Sequence, residues 1–433
     1  MMDEALQYAL KAREIAKKHN KWFEESIPLI ASENLISPLA REMLLTDFHN
    51  RYAEGTPGKR YYQGNIYVDE MEELATELAK KLFNCKYADV RPISGTNANQ
   101  AVIFAFTKPG DVIMGPSLQS GGHISSAKFG SVGFRGLNKI EYPFDIENMT
   151  IDVDLADKMI RIIKPKVALF GKSVFPFPEP IKELKDALDE AGSIVWYDGA
   201  HVLGLIAGGK FQDPLREGAH VVSGSTHKTL PGPQRGIILA DNIDEKKWTK
   251  IQRGVFPGVI SNHHLHHMAA LAIALAEHIA FGKEYAEQVV RNAKALAQAL
   301  YERGFKVLGE NRGFTESHVV LVDVKEQGGG RRVAIDLEKA NIICNFNLLP
   351  YDDPKKPMNP SGIRLGSQEC TRLGMKESEM EEIAEFIKRV AIDNEPPEKV
   401  REDVIEFKKE YTKVHYCFGE YGNIYEYIEM VKV

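Results

Sequence analysis

Hydrophobic and polar residues follow a helical period at the start of the chain and a strand–helix alternation afterwards. Residues 2–19 place apolar side chains at helical spacing, which predicts an amphipathic helix. Pro28 and Pro38 then interrupt the pattern, so we predict an arm rather than a separate domain. From about Val68 onward, short β-branched runs alternate with helical segments.

This alternation predicts an α/β protein whose largely parallel sheet is covered by helices on both faces. The predicted strands are DVIMG, KVALF, IVWYD, HVVSGS and GIILA. A helical run over 261–303 leads into a second region of α+β character. We therefore predict an N-terminal arm over 1–45, a large domain over 46–285 and a small C-terminal domain over 286–433.

The composition is that of a soluble globular protein and excludes several classes. Among 433 residues, 43% are hydrophobic and 27% charged, and the net charge of -6 provides no basic field for nucleic acid. The four cysteines form no CxxC pair, which favours a reducing cytoplasm over a disulfide framework. The N-terminal segment lacks the apolar core of a signal peptide. The apolar segment MAALAIALAEHIAFG is too short to span a bilayer, so we expect a cytoplasmic protein that does not bind membranes.

Three polar segments follow predicted strands, where open parallel sheets bind their ligands. In IVWYDGAH the strand ends at Asp198, the turn SGTNAN precedes a helix, and STHK contains Lys228. Taken singly, these features indicate a turn aspartate, a helix N-cap and a solvated lysine. Together they meet the needs of pyridoxal phosphate, which are a Schiff-base lysine, an anion at the ring nitrogen and a phosphate site. The sequence contains no GxxxxGK[ST] motif and no GxGxxG motif after a strand.

Longer motifs occur in a fixed order from Leu29 to Gly366. They are LIASEN, RYAEGTPGKRYYQG, YVDEMEELA, RPISGTNAN, GGHISS, YDGAHVLGLIAGG, STHKTLPGP, VFPG and SGIRLG. In these motifs the chain resembles the serine hydroxymethyltransferase family, in particular its archaeal branch. The resemblance implies the α/β pyridoxal-phosphate-dependent transferase fold of type I (aspartate aminotransferase-like). That fold has a mostly parallel, seven-stranded large-domain sheet and a smaller α+β C-terminal domain.

The resemblance also implies how the chain would hold pyridoxal 5'-phosphate. Lys228 is the expected Schiff-base lysine, and Asp198 is expected to bind the ring nitrogen. His123 is expected to stack on the ring, and His201 to touch its phenolic side. The phosphate contacts are expected from Ser94, Gly95 and Thr96, with Ser225 or His227, and a further cofactor contact from Tyr52.

A second group of residues is implied to act on the substrates. Arg364 is expected to bind the amino-acid carboxylate, with Ser32 beside it. Glu54 is the expected acid/base group at the pterin, and Tyr52 and Tyr62 are expected to cross the interface of a homodimer. The expected catalytic residues are Lys228, Glu54, Asp198, His123, His201 and Tyr62.

The implied reaction interconverts L-serine and glycine and passes the one-carbon unit to a reduced pterin. The sequence leaves open whether that carrier is tetrahydrofolate or tetrahydromethanopterin. The alternative is a threonine aldolase-type pyridoxal-phosphate lyase, which needs no pterin. Glu54 within YAEGTPGKRYY favours the transferase, because a simple aldolase needs no group at the pterin.

The chain departs from the family pattern in three places near the expected site, one of which is the run GSQ after Arg364, where the family usually has GTP or a similar run. Gln234 stands where many relatives carry arginine, with Arg235 following, so the role of Arg235 stays open. The segment after VFPG contains four histidines, His263, His264, His266 and His267. Their spacing would suit zinc, but no carboxylate or cysteine is near in sequence. We therefore expect no metal and predict packing at the start of a helix, near the dimer contact.

Overall fold

The computed structural model describes residues 2–432 and contains a seven-stranded sheet. Six strands run parallel, and Gly236–Ala240 runs antiparallel to both of its neighbours. In spatial order the strands are Tyr87–Asp89, Gly236–Ala240, Val221–Ser225, Ile194–Asp198, Val167–Phe170, Val112–Gly115 and Asn138–Glu141. The predicted α/β architecture with a mostly parallel sheet is confirmed.

Strand Ile194–Asp198 is apolar up to its last residue because both faces of the sheet are buried. In Ile194–Asp198, Val195 and Tyr197 pack into the hydrophobic cluster on one face. Trp196, between them, packs into the cluster on the other face. Side chains alternate across a strand, so a strand buried on both faces must be hydrophobic at successive positions.

The C-terminal region forms a second, antiparallel sheet. Its four strands, in spatial order, are Lys306–Val307, Val319–Asp323, Gly362–Gly366 and Asn345–Asn347. The N-terminal segment joins this region, because strand Ile27–Pro28 pairs in parallel with Ile342–Ile343. The smaller hairpins are Gly55–Thr56 with Lys59–Arg60, and Phe144–Asp145 with Thr150–Ile151.

The helix Leu265–Glu302 is shared by the two hydrophobic cores. Its residues up to Val289 pack into the core of the large sheet, and those from Ala293 pack with the C-terminal sheet. The predicted boundary at residue 285 falls inside this helix and stays a prediction. By length and composition the helix could cross a membrane, but 61% of its most apolar window is buried within the protein. It is therefore a core helix, longer than the apolar segment recognised in the sequence.

The remaining α-helices surround the two sheets. They are Met2–Glu24, Pro38–Met43, Ile66–Phe83, Gly95–Phe106, Ser131–Phe134, Val153–Ile163, Lys185–Ala191, Leu203–Ala207, Pro214–Glu217, Glu245–Arg253, Gly330–Lys339, Gln368–Arg372, Glu377–Ala391 and Pro397–Lys408. The carboxyl ends of Ile194–Asp198 and Val221–Ser225 lie side by side in this arrangement, and the polar segments that follow them meet there.

Candidate active site

A cavity of about 270 Å³ opens where the parallel strands end. It brings together most of the residues that the sequence predicts to bind the cofactor. These are Ser94, Gly95, Thr96, His123, Asp198, His201, Ser225, His227 and Lys228. The same cavity is also lined by Asn99, Lys172, Ser173, Ala200 and Gln234.

Lys228 lies in this cavity as a buried amine. Its side chain follows strand Val221–Ser225, and the residue is only 8% exposed. Burial lowers the pKa of Lys228 to about 8, while the Asp198 carboxylate raises it and Arg364 lowers it further. An amine whose pKa lies this close to neutrality is partly uncharged, as a nucleophilic lysine requires.

Asp198 is held by a chain of buried hydrogen bonds that the sequence did not reveal. Asn99 Nδ2 donates to Asp198 Oδ2 at 2.8 Å, and the Ala200 amide donates to Oδ1 at 3.1 Å. Asn99 Oδ1 in turn accepts from Ser223 Oγ at 2.7 Å, and Ser223 Oγ accepts from Trp196 Nε1 at 2.8 Å. The carboxylate therefore has a fixed orientation towards the cavity. Asn99 lies within the SGTNAN segment, for which the sequence predicts only a phosphate site.

His123 is connected to the same network through Ser125. The amide of Ser125 donates to His123 Nδ1 at 3.2 Å, and Ser125 Oγ lies 2.8 Å from that nitrogen. Asn99 Nδ2 also donates to Ser125 Oγ, at 3.2 Å. Because Nδ1 accepts these bonds, the ring proton of neutral His123 is on Nε2. Burial lowers the pKa of His123, which favours a neutral ring suited to stacking.

The turn before helix Gly95–Phe106 has the properties of an anion cup. Ser94 caps this helix by accepting from the Asn97 amide, which leaves the other first-turn N–H groups directed outward. A Cβ on Gly95 would lie 2.4 Å from Ser225 Oγ, so a side chain at this position would require the Ser225 hydroxyl to move. Burial lowers the pKa of His227 to about 4, and among residues 2–432 its Nδ1 has no hydrogen-bond partner. These donors and the open nitrogen suit the phosphate of pyridoxal phosphate.

Arg364 reaches the edge of the same cavity from the second sheet, where it contacts the lining residue Ser173. It lies in strand Gly362–Gly366, 9% exposed, and burial lowers its pKa to about 10. Its Nε donates to Asn345 Oδ1 at 3.0 Å, and Nη1 donates to the carbonyl of Ser173 at 2.9 Å. The guanidinium is fixed from one side, while its charge still reaches Lys228.

Five of the predicted residues do not line this cavity, and Arg364, which reaches its edge at Ser173, is one of them. Ser32 lines a neighbouring cavity of about 260 Å³, which shares His227 and Gln234 with the first. Tyr52 and Tyr62 are 44% and 46% exposed, with ring centroids 4.9 Å apart. The Tyr52 hydroxyl lies 3.4 Å from Glu54 Oε1. Within one chain, therefore, Glu54 and its tyrosines lie outside the Lys228 cavity.

The departures from the family pattern have structural explanations. Arg235 is fully buried and donates to the carbonyls of Val90, Arg91 and His264 and to His263 Nδ1. It therefore joins two segments of the backbone, whereas Gln234 lines the cavity. His264 is the N-cap of the long helix, as the sequence suggested. Across residues 2–432, no cluster of three or more His, Cys, Asp or Glu side chains could hold a metal ion.

Comparisons with known proteins agree with this geometry. The family profile described as serine hydroxymethyltransferase matches residues 7–387. A serine hydroxymethyltransferase of Picrophilus torridus is 57% identical over 433 residues, covering 99% of this chain and 100% of the relative. The Thermoplasma acidophilum protein of that name is 58% identical and covers 97% of this chain and 98% of its own. The Methanocaldococcus jannaschii protein of that name is 58% identical, with 96% and 97% covered.

Proposed function

The chain belongs to the serine hydroxymethyltransferase family of pyridoxal-phosphate-dependent enzymes, and from this membership we propose how its residues divide the reaction. The enzyme interconverts L-serine and glycine by transfer of a one-carbon unit. The observation that carries the assignment is the cavity that Asp198 and Lys228 share, with Arg364 bonded to Ser173 at its edge and close enough to act on the charge of Lys228. When bound, pyridoxal phosphate supplies the electron sink for breaking a bond at the amino-acid α-carbon.

Lys228 and Asp198 are proposed to hold opposite ends of the cofactor ring system. Lys228 offers a partly neutral amine, and a nucleophile in this state reacts without first losing a proton to solvent. Asp198, oriented by Asn99, offers a carboxylate that keeps a ring nitrogen protonated. When the cofactor is bound, His123 would cover the ring, and residues 94–96 with Ser225 and His227 would hold the phosphate.

Arg364 is proposed to bind the carboxylate of serine or glycine. Its contacts with Asn345 and Ser173 fix the guanidinium plane, so two parallel N–H bonds to a carboxylate need little further ordering. Ser32 is proposed to approach the same carboxylate, which its place in the adjoining cavity allows.

Glu54, Tyr52 and Tyr62 are proposed to act in the active site of a second copy of the chain. Their distance from the cavity supports this, because one chain alone leaves them at the surface. The adjoining segment also exposes Tyr61, Ile66 and Tyr67 at 73%, 72% and 74%, which is the type of aromatic surface that dimer interfaces bury. In the homodimer, Glu54 would be the group that exchanges a proton during one-carbon transfer.

The proposed carrier of the one-carbon unit is a reduced pterin, either tetrahydrofolate or tetrahydromethanopterin. We further propose that the enzyme works in the cytoplasm, without nucleic acid or membrane partners. The buried state of its long apolar helix supports the soluble assignment.

Serine cleavage measured with each reduced pterin supplied separately tests this proposal. A transferase gives glycine formation that depends on one of the pterins. A threonine aldolase-type lyase gives pterin-independent cleavage of threonine-like substrates and no stimulation. Glu54→Gln sharpens the comparison, because it removes the titrating proton and keeps the shape. We expect it to lose about 100-fold or more of serine-to-pterin transfer and to keep most pterin-independent threonine cleavage. Equal loss of both activities would remove the acid/base role of Glu54.

A further inference from the structure

His318 is a buried imidazole in contact with His201. It precedes strand Val319–Asp323 and is fully buried. The two rings are nearly parallel, at 24°, with centroids 5.6 Å apart. His318 Nε2 lies 3.5 Å from His201 Nδ1 and 3.1 Å from the carbonyl oxygen of Ala31.

These distances determine which nitrogens carry protons. A carbonyl oxygen only accepts hydrogen bonds, so the contact with Ala31 requires a proton on His318 Nε2. That N–H is also directed close to His201 Nδ1. If Nδ1 of His201 carried a proton as well, two donors would face each other in a buried setting. The neutral His201 ring must therefore carry its proton on Nε2.

We propose that His318 is a positioning residue that holds His201 in its Nε2–H tautomer, so that His201 presents a hydrogen-bond donor to the Lys228 cavity. The proposal rests on the proposed function in one respect, since the group that receives this donor there is the phenolic oxygen of the cofactor. The assignment of the tautomer itself depends only on the contacts of His318.

Both rings are in surroundings that keep them neutral. Burial lowers the pKa of His318 to about 3, and burial with the charges of Lys228 and Arg364 keeps the pKa of His201 well below its usual range. A neutral imidazole has one donor and one acceptor nitrogen, so the orientation of its partner decides which is which. His201 is also held through its backbone, because Thr229 Oγ1 donates to its carbonyl at 2.8 Å.

His318 lies at the junction of three segments of the site. His318 contacts Ala31, the residue before Ser32, and its ring faces His201. The strand that follows His318 pairs with the strand that contains Arg364. Ala31 is held closely there, since a Cβ on Gly366 would lie 2.5 Å from Ala31 Cα. A hydrocarbon side chain could fill this position as well as an imidazole does. Among the described residues, the only partners of His318 ring nitrogens are Ala31 and His201, with Nδ1 left unpaired.

The test is nitrogen NMR of the full-length protein labelled with ring-¹⁵N histidine, with and without cofactor, and His201→Asn to assign the resonances. Wild type should show His201 protonated on Nε2 and not on Nδ1. His318→Phe, which fills the space without a donor, should shift His201 towards the Nδ1–H or a mixed tautomer. His318→Gln places an amide N–H near the position of Nε2 and should restore the wild-type tautomer. Equilibrium binding of pyridoxal phosphate should weaken about three- to tenfold in His318→Phe and recover in His318→Gln.

The result for the wild-type protein decides the proposal even if His318→Phe fails to fold. A proton on His201 Nδ1 in wild type overturns it, as does an unchanged His201 tautomer in a folded His318→Phe variant. Because the tautomer is measured on the protein without cofactor, this failure is distinct from a failure of the proposed function. A protein with the expected tautomer that binds no pyridoxal phosphate would contradict the proposed function and leave the His318 assignment standing.

Discussion

Asn99 Nδ2 lies 2.8 Å from Asp198 Oδ2, and the two residues are 99 positions apart in the sequence. Both side chains are buried, at 3% and 7% exposure. The same amide nitrogen also donates to Ser125 Oγ, which contacts His123. One asparagine thus orients both the carboxylate at the proposed ring nitrogen and the ring that covers it.

Asn99→Ala should weaken the hold on the cofactor without changing the fold. The substitution removes a hydrogen bond to a charged group, which is typically worth about 1.5 to 3 kcal/mol. We therefore expect the dissociation constant of pyridoxal phosphate to rise about tenfold or more. Equilibrium dialysis and the thermal unfolding midpoint measure the two effects separately. The control is Gln100→Ala. Gln100 is the next residue on the same helix and donates to Ser131 instead, so this variant should bind the cofactor normally. Equal affinity in Asn99→Ala and wild type would contradict the role of Asn99.

The reaction of Lys228 with pyridoxal phosphate should titrate near pH 8. Burial lowers the pKa of Lys228 to about 8, so the amine is charged and unreactive below that pH and neutral above it. The rate of covalent capture by cofactor-free protein should rise with pH and level off above about pH 9, whereas an exposed lysine would continue to gain reactivity to about pH 10.4. Stopped-flow absorbance measures the rate, and Lys228→Ala is the blank. A rate that still climbs between pH 9 and pH 10 would show that this lysine is not desolvated.

Substitution of the two charged neighbours should move that titration in opposite directions. Asp198 raises the pKa of Lys228 and Arg364 lowers it. Asp198→Asn should therefore shift the midpoint to lower pH, and Arg364→Gln should shift it to higher pH. Neither substitution enlarges the side chain, so a change in packing alone would not shift the two midpoints in opposite directions. Shifts in the same direction would mean that the two charges do not act on Lys228 as the geometry indicates.

Arg364→Lys should raise the KM for serine while leaving the binding of cofactor intact. Lysine keeps the charge but loses the planar fork that Asn345 and Ser173 orient. A charge-assisted pair is worth about 1.5 to 3 kcal/mol, which corresponds to about a ten- to hundredfold rise in KM. Asn345→Ala removes one support of the guanidinium and should give a smaller rise. If KM stays unchanged in Arg364→Lys, the carboxylate binds elsewhere.

Two inactive variants should restore activity when their subunits are mixed. Lys228→Ala lacks the nucleophile and Glu54→Gln lacks the proposed acid/base group. If Glu54 acts across a homodimer, a mixed dimer contains one site with both residues intact. Random exchange of subunits gives about half mixed dimers with one good site of two, hence about a quarter of wild-type activity. The test is the activity recovered after the two variants are unfolded together and refolded as a mixture. Activity no higher than that of the parents would place Glu54 in the site of its own chain.

The local features of this protein can be predicted from short stretches of its sequence. Apolar runs such as IVWYD predicted buried strands, and the structure has that strand at Ile194–Asp198. Family motifs indicated Lys228, Asp198 and the SGTNAN turn, which all line one cavity. These features are encoded within a few residues, because strand burial, turn chemistry and nucleophile context depend on near neighbours in the chain.

Which distant residues come into contact depends on how the helices and sheets pack together. Asn99 contacts Asp198 across 99 positions, and His318 contacts His201 across 117. The packing of helix Gly95–Phe106 and of the second sheet near the ends of the parallel strands brings these pairs together, and no local periodicity encodes that packing. The edge strands Tyr87–Asp89 and Asn138–Glu141 were likewise missed, because three- and four-residue strands with polar members show no clear alternation. The nitrogen that carries the proton of a buried neutral imidazole, such as His201, also depends on tertiary packing, because packing places a donor or an acceptor beside each ring nitrogen.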